Sequence, residues 1–428
     1  MSNSVENKNI GVDWIGSIPS NWKVSRFKHL FDEKRSTKNP ELNSGSISFG
    51  QVIYKDDESI PESTKEGYQE VLEGEFLINP LNLNYDLKSL RIALSRINVV
   101  VSQGYIVLKL RDHLHPNYYE YLLRKFDVEY MKSLGQGVRQ TISFTHLKDE
   151  NLVVPPIEEQ KLISQYLDKK TSQIDSLVDK IQKKIEILKE QRTSLINQYV
   201  TKGLDPNVEM KDSGVEWIGE IPKHWSISKL RYQIDGIKDG THGTHKNVAD
   251  GYLLLSGKNI QDGNLVITDS ERRISEEDHL LITGNGYPKK GDILFVSIGA
   301  TLGKTTVYTL DDSLSFQRSV CFIRPKSSWD SFYMGQLLSS ETVQGQIKQN
   351  VNQSTIGGIY MGDLVEVFVP VPPQKEQKDM TKQLDKELKQ IEEMIRLEKD
   401  RISLFVEYRQ SLISSVVTGK VRISEEMI

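Results

Sequence analysis

The sequence predicts an α+β protein: two mixed α/β globular domains separated by two long helices that form an antiparallel coiled coil. Three features point there: an internal repeat, two long stretches without Pro or Gly, and short β-branched segments confined to the intervals between them. The expected boundaries are a first globular domain over 1–157, a long helix over 158–202, a second globular domain over 203–371 and a C-terminal long helix over 372–428.

The repeat comes first because it organises the rest. Gly11-Val12-Asp13-Trp14-Ile15-Gly16-Ser17-Ile18-Pro19-Ser20-Asn21-Trp22 recurs as Gly214-Val215-Glu216-Trp217-Ile218-Gly219-Glu220-Ile221-Pro222-Lys223-His224-Trp225, at an offset of 203. A second pair closes each half, Val154-Pro155-Pro156-Ile157-Glu158-Glu159-Gln160 against Val371-Pro372-Pro373-Gln374-Lys375-Glu376-Gln377, now at an offset of 217. The same offset relates Ser194-Leu195-Ile196 to Ser411-Leu412-Ile413. The chain is a tandem duplication whose second interior is the longer.

Each Pro-Pro mark opens a stretch of about 44 residues rich in Lys, Glu, Gln, Leu and Ile, which is strong helix composition. In the first, Ile174, Val178, Ile181, Ile185, Leu188, Leu195 and Tyr199 follow the four-three spacing of a heptad seam, with Arg192 filling the missing step. Adding 217 gives Ile391, Ile395, Glu398, Ile402, Phe405, Arg409, Leu412 and Val416. The polar break at Arg192 thus recurs at Arg409, while Glu398 stands where Ile181 is apolar. Matched length, register and polar break favour the two helices pairing with each other.

The interiors of the halves read differently. Asn98-Val99-Val100-Val101, Tyr105 to Leu110, Asp292 to Val296 and Ser319 to Ile323 are short and β-branched between Gly, Asn and Asp turns, so they are expected as strands. Shared frames around unlike centres suggest common structure carrying distinct recognition.

Composition excludes several classes. A length of 428 residues favours two or three domains, and 37% hydrophobic with 27% charged residues suits cores that bury well. A single cysteine, Cys321, excludes an internal disulfide or a Cys-based metal cluster. No basic-apolar leader is seen, and no apolar run approaches the roughly 20 residues of a membrane span, so a cytoplasmic protein without a membrane partner is expected. His242 and His245 lie three apart with no third ligand nearby, so no metal is expected. There is no Asn-Pro-Pro-Tyr adenine-methylation motif and no phosphate-binding Gly-x-x-x-x-Gly-Lys-Ser/Thr loop; Gly299 to Lys304 is too short for one and reads as a turn beside a strand. The net charge of −4 is not the footprint of an independent DNA binder. Residues 1–157 hold 19 Lys and Arg against 20 Asp and Glu, and residues 203–371 hold 16 against 21. Any DNA affinity must then come from local patches or from a basic partner.

The Trp-Ile-Gly-x-Ile-Pro-x-x-Trp entry, the Pro-Pro-x-x-x-Gln exit into a long helix, and the repetition of the whole unit resemble the specificity subunits of type I restriction-modification systems over essentially the full chain. The second centre resembles a common target recognition domain in Lys238 to His245, Ser256 to Ile260, Gly299 to Lys304 and Ser315 to Arg318. Where the family's usual Thr-His-x-Thr-Pro run has proline, this sequence has His245. The first centre has its counterpart around Gly74 to Leu83 and Val101 to Tyr105. The resemblance implies a non-catalytic chain that binds double-stranded DNA and assembles with two methyltransferase subunits and motor-nuclease subunits. No cofactor is expected on this chain; S-adenosylmethionine and ATP with Mg belong, by the same resemblance, to the partners.

Base reading uses side chains with paired donors and acceptors on loops that reach the major groove. By that rule the first domain offers Gln51, Tyr54, Lys55, Asn79, Asn82, Asn84, Lys88, Ser89 and Arg91. The second offers Lys238, Thr241, His242, Thr244, His245, Lys258, Asn259, Thr301, Lys304, Gln317 and Arg318. The equivalent loops ahead of the Pro-Pro frames add Arg139, Gln140 and Gln353, for phosphate or groove-edge contacts. Helices of about 44 residues are about 65 Å long, enough to span half-sites one DNA turn, roughly 34 to 36 Å, apart. A bipartite, asymmetric target with a fixed gap is therefore expected. Inserting one heptad in the first helix should change that gap and leave both half-sites untouched; an altered half-site would contradict the spacer role. Rival readings are a specificity subunit for a fused nuclease-methylase, a repressor-like binder, and a coiled-coil scaffold with no DNA role.

Overall fold

The computed structural model describes residues 7–81, 90–134, 141–261, 263–284, 286–350 and 357–428. By packing, the chain divides into unit 1, residues 1–181 with 399–428, and unit 2, residues 182–398. Two helices dominate, α1 (Ile157–Lys202) and α2 (Gln374–Val417). Each contributes one part to each unit. Among the described residues no helix is long and apolar enough to cross a membrane.

Unit 1 is built on a four-stranded antiparallel sheet in the order Phe31–Glu33, Ile106–Leu110, Phe76–Ile78, Ile92–Leu94. Unit 2 repeats the order with Ile234–Asp239, Val320–Pro325, Ile293–Val296, Thr305–Val307. The strands expected around Val99, Ile106, Ile293 and Val320 are present. In both units a two-stranded ladder ties the entry segment to the strand before the Pro-Pro mark, Lys23–Arg26 with Asn151–Val154 and Ser226–Lys229 with Phe368–Val371. Trp22, Phe27, Phe31, Phe76, Tyr118 and Phe126 share the core of unit 1; Trp225, Phe295, Trp329 and Tyr333 share that of unit 2.

The sequence frames turn out to be hydrogen-bonding devices. Trp22 Nε1 donates to Glu159 Oε2 at 2.7 Å, and Trp225 Nε1 to Glu376 Oε2 at 2.9 Å. The glutamine of each frame staples the start of its helix. Gln160 donates to the Pro155 carbonyl and accepts from the His115 N–H. Gln377 donates to the Pro372 carbonyl at 2.9 Å and accepts from the Asp330 N–H at 2.9 Å. Both amides are 1% exposed, so truncation strands backbone groups away from water. Gln377→Ala should cost about 1–3 kcal/mol, read by calorimetry as a Tm loss of about 2–4 °C per kcal/mol; no shift would refute the stapling role.

Along the helices the seam positions Ile174, Ile181, Ile185, Leu188, Tyr199, Ile391, Leu412 and Val416 are buried. In unit 1 the break at Arg409 is answered by Asp175, Nη1 to Oδ1 at 3.2 Å. In unit 2 Arg192 faces Glu392 at 3.8 Å. Asp175 and Glu392 are themselves 217 apart, so each polar step in the seam meets the repeat-equivalent acid. Within unit 2, Lys184 meets Glu398, Arg192 meets Glu392 and Tyr199 meets Glu387. Partner numbers fall as residue numbers rise, so the two segments run antiparallel.

Candidate nucleic-acid interface

The candidate residues described in unit 2 gather at one end of its four-stranded sheet. In unit 2 the backbone does the gathering. Thr241 donates its N–H to the Phe316 carbonyl, Arg318 N–H returns to Thr241, and Gln317 N–H reaches the Leu255 carbonyl. Gly257 N–H donates to Ser319 Oγ, and Ser297 N–H to the Ser319 carbonyl. Four separate segments, 240–245, 255–259, 296–304 and 315–320, are thereby joined into one platform. Lys238, His242, Thr244, Lys258, Lys304 and Arg318 are exposed on it, with Thr241, Thr301 and Gln317 half-buried. A cavity of about 320 Å³ is lined by Lys238, Thr241, His242, Tyr287 and Phe316. Gly299 to Lys304 is the turn between strands Ile293–Val296 and Thr305–Val307.

Two of the candidates here are scaffold. Asn259 is 1% exposed and spends its side chain on the chain itself, accepting from Ser256 N–H and donating to the Val266 carbonyl. His245 is 7% exposed, with Nε2 3.0 Å from Thr241 Oγ1 and Nδ1 2.9 Å from Asp278 Oδ1. That hydrogen bond holds the Asp278 carboxyl below its ordinary pKa. His245 therefore fastens the 241–245 loop to Asp278. His242 pairs with Asp239, and Lys258 with buried Glu271 at 2.8 Å, an interaction that lowers the Glu271 pKa.

Under the platform His279 stacks on Tyr252, ring centroids 4.1 Å apart, and meets Ser315 Oγ at 2.9 Å. Burial holds its pKa below the ordinary histidine value. The neutral ring's contribution is complete above that ordinary value and is lost as pH falls through it toward the depressed folded value. Unit 2 should therefore melt earlier at about pH 5.5 than at about pH 7.5, and His279→Gln should flatten the dependence; an unchanged slope would exclude His279 as its source.

In unit 1 the equivalent sheet end carries Asn79, half-buried, whose Oδ1 accepts from Leu81 N–H. Arg91 is a correction: it is 8% exposed, its guanidinium donates to the Leu81 carbonyl, and its N–H donates to Asp127. Its side chain is thus held within the chain rather than presented on the surface. Gln51, Tyr54 and Lys55 are exposed on or just after a hairpin, Gly45–Ser48 with Gln51–Tyr54, that sequence reading did not foresee. The hairpin base is fixed by Asp57, which accepts from Ser44 N–H and pairs with Lys65 at 2.7 Å. Those bonds, led by Lys65, pull the Asp57 carboxyl down to about 2.

Asn82, Asn84, Lys88, Ser89, Arg139, Gln140 and Gln353 lie outside the described residues. The residues following the last three are placed: Ile142 N–H donates to the Pro80 carbonyl and Ile359 N–H to the Ser297 carbonyl. In both units the chain after that loop is thus tied to the same turn of the sheet.

A model of the type I restriction modification DNA specificity domain matches residues 19–187 and 247–402. A putative type I restriction enzyme MjaX specificity subunit of Methanocaldococcus jannaschii is 25% identical, over 96% of either chain. The type I restriction enzyme EcoBI specificity subunit of Escherichia coli is 26% identical, over 57% of this chain and 52% of its own. A chain from a solved structure concerning complex assembly and conformational transition of the type I R-M system superposes with a TM-score of 0.68 at 15% identity. It covers 94% of this chain and 99% of that one, a likeness of fold.

Proposed function

We propose, from the premise that this chain belongs to the type I restriction modification DNA specificity domain family, that it selects the DNA sequence for a type I restriction-modification complex. Unit 1 reads one half-site and unit 2 another, unlike, half-site. The observation that carries this is one strand order built twice, with unlike residues at the same sheet end, Asn79 in unit 1 and Thr301, Gln317 and Arg318 in unit 2. A shared strand order with different side chains suits two different base sequences, whereas a repeated enzyme would repeat its reacting groups.

In unit 1 the proposed base and phosphate contacts come from Gln51, Tyr54, Lys55 and Asn79, together with Asn82, Asn84, Lys88, Ser89, Arg139 and Gln140. In unit 2 they come from Lys238, Thr241, His242, Thr244, Lys258, Thr301, Lys304, Gln317, Arg318 and Gln353. The chain itself transfers no group; methyltransferase subunits using S-adenosylmethionine and motor-nuclease subunits using ATP with Mg do so, in the cytoplasm. Because neither half of the chain is basic, the partners supply most of the phosphate-neutralising charge.

The deciding experiment is a genome-wide map of adenine methylation in cells with and without this chain, its methyltransferase partner present in both. A motif of two short unlike blocks around a fixed gap, lost with the chain, is the expected result. A map that does not change rules the proposal out.

A further inference from the structure

The hairpin of unit 1 turns through two residues, Phe49 and Gly50, both with positive φ, 47° and 74°. That is the geometry of a type I′ turn, which favours Asn-Gly. Phenylalanine in the left-handed region is strained, and burial does not compensate here, since Phe49 is 80% exposed. The hairpin is nevertheless held firmly. Val52 is buried, and its cross-strand neighbour Ile47 packs on the same cluster of Val71, Leu77 and Val99. A Cβ on Gly45 would stand 2.8 Å from Val99, and one on Gly50 2.7 Å from Leu90. The fold thus spends backbone strain to present one aromatic ring at the tip of a fixed two-stranded ribbon, beside exposed Gln51, Ile53 and Tyr54.

A two-stranded ribbon fits the major groove of B-DNA. Among the four base pairs, the apolar group offered there is the thymine 5-methyl. A ring without donor or acceptor reads the edges of intact, stacked base pairs through that methyl group. We propose that Phe49 is a specificity-determining residue that reads a thymine methyl group in the half-site of unit 1, next to the base addressed by Gln51. This rests on the DNA-reading role proposed above. The hairpin fixes the backbone that carries the ring ahead of binding, so little loop ordering remains to be done in the complex.

The test uses the chain assembled with its methyltransferase partner and duplexes carrying the mapped target, with each thymine of the unit 1 half-site replaced in turn by deoxyuridine. At one position affinity should fall about threefold to fivefold, the partition of a single buried methyl group. Phe49→Asn should bind the thymine duplex more weakly by a similar factor and be indifferent to deoxyuridine. It should melt no lower than the parent, because asparagine suits the turn; that separates a lost contact from a lost fold. Equal affinity for thymine and deoxyuridine duplexes, or a variant as sensitive as the parent, overturns the inference. So does a half-site without thymine, or 2-aminopurine fluorescence showing the ring wedged between unstacked bases. Full sequence discrimination with silent deoxyuridine removes only this inference; no discrimination of any sequence removes the DNA-reading role with it.

Discussion

Trp225→Ala should destabilise unit 2 by about 3–5 kcal/mol, the cost of deleting a fully buried indole and leaving its cavity. For a unit of this size that is a fall in Tm on the order of 10 °C. The ring is 1% exposed, and its Nε1 donates to Glu376 in the first turn of α2. It is also the wall against which α1 ends. Gly203, just past Lys202, has φ 72°, and a Cβ there would stand 3.2 Å from the Trp225 ring. Left-handed glycine terminates the helix and lets the ring close on it. One side chain therefore joins the entry segment, the end of α1 and the start of α2. Trp22 does the same in unit 1, with Glu159 as acceptor and Gly419, φ 73°, against its ring. Trp22→Ala should match Trp225→Ala to within about 1 kcal/mol, by calorimetry on the two variants. A loss of only a few degrees in both would mean that the repeated tryptophans are not what holds the frames together.

Those frames were legible because their chemistry is local or periodic. Trp-Ile-Gly-x-Ile-Pro-x-x-Trp and Pro-Pro-x-x-x-Gln recur as words, and the seam from Ile174 to Val416 recurs as a period, down to the polar steps at Arg192 and Arg409. What answers those steps, Glu392 and Asp175, follows from the same register. The sheets were less legible. Strands of three residues, such as Phe76–Ile78 and Ile92–Leu94, carry too little periodicity to give an order, so the identity of the two strand orders emerged only in three dimensions. The hairpin of unit 1 was hidden because Phe49-Gly50 is not a turn signal by composition. Its glycine supplies one positive φ, but an aromatic supplies the other against its preference.

Reading loops by composition also overcounts contacts. Arg91, Asn259 and His245 sit among Gly, Asn and Ser, which marks a loop, yet each is buried and its side chain is held within the chain, by the Leu81 carbonyl, the Val266 carbonyl and Asp278. A polar side chain in a loop serves either the ligand or the loop. Nothing in a single sequence names the second partner. Burial sets Asn259 and His245 apart from the other candidates of unit 2, of which Lys238, His242, Thr244, Lys258, Lys304 and Arg318 are exposed.

The distinction has a consequence at His245. Removing a residue that reads a base relaxes one position of a target, whereas removing one that fastens the loop should relax several together. His245→Ala deprives the Thr241 hydroxyl and the Asp278 carboxylate of their shared partner, at a cost of about 1–3 kcal/mol in loop order, and the loop it frees carries Thr241, His242 and Thr244. The block assigned to unit 2 should become degenerate in the methylation map, with methylation at the original site down about tenfold, while the block assigned to unit 1 stays sharp. His245→Pro, which restores the family's residue, replaces two hydrogen bonds with a fixed φ and should recover much of the lost selectivity. If His245→Ala leaves the block of unit 2 intact, the platform is held by its backbone ladder alone and the Thr241–His245–Asp278 linkage is incidental. If both blocks degrade, the substitution has damaged more than its own unit. Only loss confined to one block, rescued by proline, identifies His245 as the clasp of that recognition loop.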